Sequence, residues 1–141
     1  MQRRKTLIRA VMAVLLTGAL VGLASPSPAS AAASSFNDDC FGYVGTFKGG
    51  TQVVWADWNS DDITDECFGI APSRTIWHAW PQSGGWQEMP NHGLADKVDG
   101  AGVDLNGTHK VRVYVSGSRH YYESELWPGV GWQGWYLTEA G

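Results

Sequence analysis

Glycine and proline punctuate this chain so densely that, beyond residue 31, only Thr51 to Phe68 runs for more than about a dozen residues without either. A helix interior tolerates neither residue well, and that one open run carries Thr51, Val53, Val54, Asp57, Asn59, Asp61, Asp62 and Thr64, all poor helix formers. What is left is a series of short apolar and aromatic runs bounded by turn residues. That pattern predicts an all-β fold of antiparallel hairpins, arranged as propeller-blade-like units or as a small barrel or sandwich. In the same region seventeen aromatic residues outnumber sixteen valines, isoleucines and leucines, so rings either build most of the core or form a binding surface.

The start of the chain is a separate matter. Arg3, Arg4, Lys5 and Arg9 precede an apolar stretch from Ala10 to Ala24, and small residues follow with Ala29-Ser30-Ala31 and Ala31-Ala32-Ala33 as cleavage sites. This is the three-part form of a secretory signal peptide, with an apolar segment too short for a membrane span. The expected organisation is therefore a signal peptide over 1–31, with cleavage after 31 or 33, and one secreted, extracellular domain over 32–141. No cysteine stands at the cleavage sites, which argues for free release rather than a lipid anchor. The region beyond 31 has six basic side chains (Lys48, Arg74, Lys97, Lys110, Arg112, Arg119) against fourteen acidic ones, a balance of −8. Nucleic acid and anionic membrane are poor partners for such a surface.

Cys40 and Cys67 are the only cysteines, and an even pair in an exported domain predicts one disulfide. Closing a loop of about 28 residues is worth roughly 3–4 kcal/mol on the chain-entropy view.

Internal repetition comes next. Trp80-Pro81-Gln82-Ser83-Gly84-Gly85-Trp86-Gln87 recurs, one residue shorter, as Trp127-Pro128-Gly129-Val130-Gly131-Trp132-Gln133. Duplicated β units follow, with a spacing close to that of one propeller blade. The second copy adjoins the most regular stretch of the chain. Val111, Val113 and Val115 alternate with Arg112 and Tyr114, and Ser116-Gly117-Ser118-Arg119 then offers a reversal. A type II′ turn on Gly117-Ser118 sets Tyr114 opposite Tyr121 and Arg112 opposite Glu123 on one face. The valines, with Ser124, Tyr122 and His120, form the other face and the better core candidate.

The run Val111-Arg112-Val113-Tyr114, with Glu123 and then Gly131-Trp132, resembles a blade of the fucose-binding β-propeller lectins. The resemblance covers about 30 residues and implies Arg112 and Glu123 as contacts to sugar hydroxyls and ring oxygen. It implies Trp132 as a stacking ring, with Trp135 as its neighbour. Pro128 departs from the acidic-Gly turn of that family, and the first Trp-Pro copy has Gly85 where the glutamate would stand.

The residues support the same chemistry without the family. A sugar presents vicinal hydroxyls and a patch of C–H groups, so its site needs a multi-donor cation, a carboxylate and a flat ring close together. Arg112, Glu123, Tyr114 and Tyr121 meet that need on the predicted hairpin face, and Trp86 and Trp132 follow glycines at turn exits where exposure is expected. The bland alternative is a cross-strand ion pair beside an aromatic pair, with the tryptophans as core.

Other constellations compete. Asp57, Asn59, Asp61 and Asp65 have alternating oxygen ligands suggestive of calcium, but Asp62 and Phe68 replace the glycine and glutamate of an EF-hand. A looser calcium site or a solvated acidic loop remains; no other cofactor is implied. Glu88, Glu123, Glu125 and Asp57 could furnish the carboxylate pair of a glycoside hydrolase. His78, His92, His109 and His120 show no paired metal spacing. The expected function is a carbohydrate-binding, lectin-like module for a glycan or cell-wall polysaccharide, with homo-oligomerisation open. The alternatives are a protein-binding or structural secreted module (an inhibitor, immunity factor or cell-surface component) and, further off, a small glycosidase.

Overall fold

A computed structural model of the chain describes residues 34–138, so the expected signal peptide lies outside the described residues. The fold is all-β and antiparallel, with ten strands in three sheets. A hairpin of β1 (Ser35–Cys40) and β2 (Tyr43–Lys48) comes first. A middle sheet follows, built in chain order from β3 (Val54–Ala56), β4 (Glu66–Ile70), β5 (Ile76–Ala79) and β6 (Gln87–Glu88). After a single 3-10 turn at Pro90–His92, the C-terminal sheet runs through β7 (Lys97–Val103), β8 (His109–Val115), β9 (His120–Trp127) and β10 (Gly131–Thr138). Each four-stranded sheet is an up-and-down meander, and none closes into a barrel.

Alternation along β4 explains how the sheets stack. All five of its residues are buried, because both faces are covered. Glu66, Phe68 and Ile70 point to the C-terminal sheet, where Phe68 meets the edge of Trp132 at 5.6 Å between ring centroids, within a core of Ile76, Val98, Val111 and Val113. Cys67 and Gly69 point the other way. Cys67 is bonded to Cys40 across to the hairpin, and the face of Gly69 is filled by the Phe47 ring, which would lie 2.4 Å from an added Cβ. Phe47 closes a second core with Cys40, Val53 and Cys67. At one end Asp96 joins all three sheets: it accepts from the Arg74 guanidinium (3.0 and 3.1 Å), from the Ser116 N–H and hydroxyl (2.8 and 2.7 Å), and has Lys48 Nζ at 3.9 Å.

The repeated Trp-Pro motif marks the same place in each meander, the turn between third and fourth strands. In both copies the first tryptophan stays outside (Trp80 38% and Trp127 45% exposed) and the second turns inward, Trp86 onto Phe47 and Trp132 into the core. Trp77 is half-buried.

The β8–β9 register is the one expected from a reversal centred on Gly117-Ser118, with Arg112 opposite Glu123 and Tyr114 opposite Tyr121, and with Val111, Val113 and Ser124 buried behind them. The reversal differs. Gly117 does not take the positive φ of a type II′ turn; Ser116 to Arg119 form a four-residue loop in which Arg119 has φ 59° and its N–H donates to the Val115 carbonyl at 2.9 Å. Asp96 engages both the N–H and the hydroxyl of Ser116, drawing that residue out of the ladder and widening the turn.

Candidate functional site

The hairpin register carries the outward residues of β8 and β9 into rows across the open face of the C-terminal sheet. One row is Gly100, Arg112, Glu123, Tyr136; its neighbours are Gly102, Lys110, Glu125, Gln133 and Lys97, Tyr114, Tyr121, Thr138. Because β7 contributes glycines to two of these rows, with open space where a Cβ would stand, a shallow groove of about 300 Å³ forms beside Asp104, Lys110, Arg112 and Glu123.

Arg112 and Glu123 face the same groove but do not bond each other. The guanidinium pairs with Asp99 instead, Nη2 at 2.7 Å and Nε at 2.8 Å from Oδ2, and packs over the Tyr121 ring at 5.1 Å. A register break in β7 between Val98 and Gly100 inserts Asp99 beside the arginine, the usual effect of a bulge in re-aiming a side chain. Glu123 lies 3.9 Å from Lys110 Nζ, which is held more closely by Glu125 at 3.0 Å and Asp104 at 3.4 Å. Hydrogen bonding to Glu125 raises the Lys110 ammonium above its ordinary pKa, against burial, with Asp104 adding to the rise. Lys110 and then the Trp127 indole lower the Glu125 carboxyl. The N–H groups of Thr108 and Asn106 lower Asp104.

Tyrosines supply the rings of this face. Tyr114 and Tyr121 lie 5.0 Å apart, with Lys97 Nζ 5.4 Å from the centre of Tyr114. Tyr136, opposite Glu123, is 47% exposed. Sequence reasoning missed Tyr136 because a register shift between Gln133 and Tyr136 hides which residue of β10 opposes Glu123.

The tryptophans expected as stacking surfaces lie elsewhere. Trp132 is only 6% exposed and its indole donates to buried Glu66 at 3.3 Å, so neither of its faces is open to a sugar. Trp135 is half-buried against the core, with its Nε1 buried and unpaired. Trp86 meets Phe47 edge-on at 4.7 Å and donates to the Tyr43 carbonyl at 2.8 Å. Gly85 and Gly131, at φ 145° and 102°, end their turns in conformations that let the following tryptophan enter the core.

In the acidic loop, Asp57 accepts the N–H groups of Asp61 (3.2 Å) and Asp62 (2.8 Å), Asn59 and Asp61 bond each other and their own turn, and Asp65 accepts the Trp58 N–H at 2.8 Å. Those oxygens shape the loop, and among the described residues no three His, Cys, Asp or Glu side chains group as a metal site. The hydrolase pairing is equally occupied: Glu88 bonds His92 at 3.0 Å, and Lys110 lies between Glu123 and Glu125, where the lowered Glu125 is the opposite of a general acid. His120 stands exposed on β9 beside the turn.

One pair escaped sequence reasoning altogether. His78 Nδ1 lies 2.6 Å from Glu66 Oε1, both buried, beneath Trp80 at 4.9 Å from the imidazole. A separation of twelve residues between two strands carries no periodic signal. No protein-family model matches the chain, and neither a curated protein nor a solved structure matches it.

Proposed function

We propose that this protein is a secreted carbohydrate-binding module whose ligand lies in the groove of the C-terminal sheet. One observation carries the reading: cationic donors from Arg112 and Lys110 and the Glu123 carboxylate converge over a glycine floor, with the exposed Tyr136 next to Glu123 in the same row. Fixed donors and acceptors around a shallow, wet floor suit vicinal hydroxyls, and a tyrosine face suits the C–H side of a pyranose. The Asp99 pairing holds the guanidinium in place before a ligand arrives, which lowers the ordering cost of binding. In this reading Tyr136 takes the stacking role that the lectin resemblance gave to Trp132. Export accords with the leader and with the Cys40–Cys67 disulfide, which belongs to an oxidising setting; among the described residues no helix is long and apolar enough to cross a membrane.

A ring covering about 60 Å² contributes only about 1.5 kcal/mol against the roughly 4 kcal/mol of millimolar affinity, so hydrogen bonds to Arg112, Lys110 and Glu123 supply the rest and a single site binds weakly. Several sites, on one polysaccharide or on associated copies, then give useful avidity. The rival is a protein-binding or structural module, favoured by the enclosure of Trp132, Trp86 and Trp135. A glycan array of the secreted protein separates the two. We expect a hit that weakens about tenfold in Glu123→Gln, which removes a charge-assisted hydrogen bond while keeping the side chain's shape. An array without hits, or a hit that Glu123→Gln leaves intact, overturns the groove reading.

A further inference from the structure

A second pocket, of about 390 Å³, opens where the β7–β8 and β9–β10 turns meet, between Asn106, Thr108, His109, Leu126 and Trp127. Its chemistry differs from that of the groove. Trp127 is 45% exposed, and its indole N–H is tied to Glu125 Oε2 at 3.2 Å, while Glu125 is in turn held by Lys110. An exposed ring anchored at its polar edge presents its apolar face at little ordering cost. His109 is instead taken up by the fold, its imidazole parallel to Trp58 at 4.5 Å between centroids and its Nδ1 buried out of a ligand's reach. The Asn106 amide and Thr108 hydroxyl complete a polar rim.

We propose that this corner is a second carbohydrate subsite, taking one neutral pyranose ring against Trp127 with its hydroxyls on the Asn106 side-chain amide and the Thr108 hydroxyl. The inference rests on the carbohydrate reading of the groove for its ligand class, but on separate residues for its geometry. Lys110 lines the groove, and its partner Glu125 anchors Trp127, so one ion pair stands between the two sites. A neutral sugar suits the corner better than a uronic acid, since Glu125 already stands beside the indole.

The test is two-dimensional NMR of the labelled full domain with the methyl glycosides of glucose, galactose, mannose, fucose and N-acetylglucosamine, each at tens of millimolar, the range expected of a single-ring contact. At least one glycoside is expected to shift the Trp127 indole N–H together with the Asn106 side-chain amide. Trp127→Ala should weaken that response about tenfold and Trp127→Phe should largely retain it, while the Arg112 guanidinium response stays unchanged in both. Shifts at Arg112 with none at Trp127 overturn the corner and leave the groove standing; shifts at Trp127 alone support the corner and overturn the groove; shifts at neither overturn both. The indole signal of the unaltered protein decides the matter even where Trp127→Ala fails to fold.

Discussion

The middle and C-terminal sheets share a meander order and a Trp-Pro turn between their third and fourth strands, but the middle sheet is covered on both faces and the C-terminal sheet on one. Their strands differ accordingly. Those of the middle sheet are three, five, four and two residues long, those of the C-terminal sheet seven, seven, eight and eight. A sheet enclosed on both sides is held by its neighbours and can be short; a sheet with one wet face needs long ladders and strict alternation. Ligand chemistry belongs on the second kind, because only there can charged side chains stand in rows without a burial cost.

The largest effect expected of a break in this arrangement is loss of the disulfide that ties the hairpin to the middle sheet. Cys40→Ser with Cys67→Ser should cost about 3–4 kcal/mol in urea unfolding, from the entropy returned to the open chain. Hydrogen exchange should show β1 and β2 losing protection first and β8 and β9 last. Equal loss in all three sheets would mean that the hairpin is no separate layer but part of one cooperative core.

Next in size is a contrast between two glycines. Gly69→Ala puts a methyl group 2.4 Å from Phe47 in the covered sheet and should cost about 1–3 kcal/mol by overpacking. Gly100→Ala meets open space and should change stability by less than about 0.5 kcal/mol, yet it raises the groove floor and should weaken glycan binding. A pair of melting curves and one binding isotherm decide it: a silent Gly69→Ala would show that the middle sheet is loosely covered.

The same contrast sets what could be read from residues alone. Val111 to Val115 alternate because one face of β8 is wet, which marks the faces, and a reversal centred between Gly117 and Ser118 gives the register with β9 residue for residue even though the loop is four residues and not two. Glu66 to Ile70 are buried on both faces, so no period marks their orientation, and Gly69 looks like an interruption when it is the space Phe47 occupies. The Arg112 partner went unread because a bulge, which inserts a residue without a compositional mark, brings in Asp99. Trp132 shows the remaining limit. A tryptophan after a turn glycine is equally well placed to face in or out, and only the opposing sheet with Phe68 and Glu66 decides.

The smallest expected effect is a pH dependence that acts on one sheet more than the other. Burial works to raise the Asp96 carboxyl, but hydrogen bonds from Ser116, with Arg74 adding to them, outweigh it and leave the group below its ordinary pKa; Glu125 is lowered by Lys110. A carboxyl whose folded pKa is depressed contributes stability that is present above its unfolded value and is lost as pH falls through the folded one. Lys110 is raised, so its contribution is present below the ordinary lysine value and is lost as pH rises through the higher folded one. All three groups anchor the C-terminal sheet. Acidification below the ordinary carboxylate range, and separately strong alkali, should therefore speed amide exchange in β8 and β9 before β4 and β5, by an amount on the order of 1 kcal/mol at the acid end. Asp96→Asn should flatten much of the acid limb, because it removes the titrating charge from a side chain that bonds both sheets; an unchanged limb would place the acid sensitivity elsewhere and separate the joint between the sheets from the groove's own ion pairs.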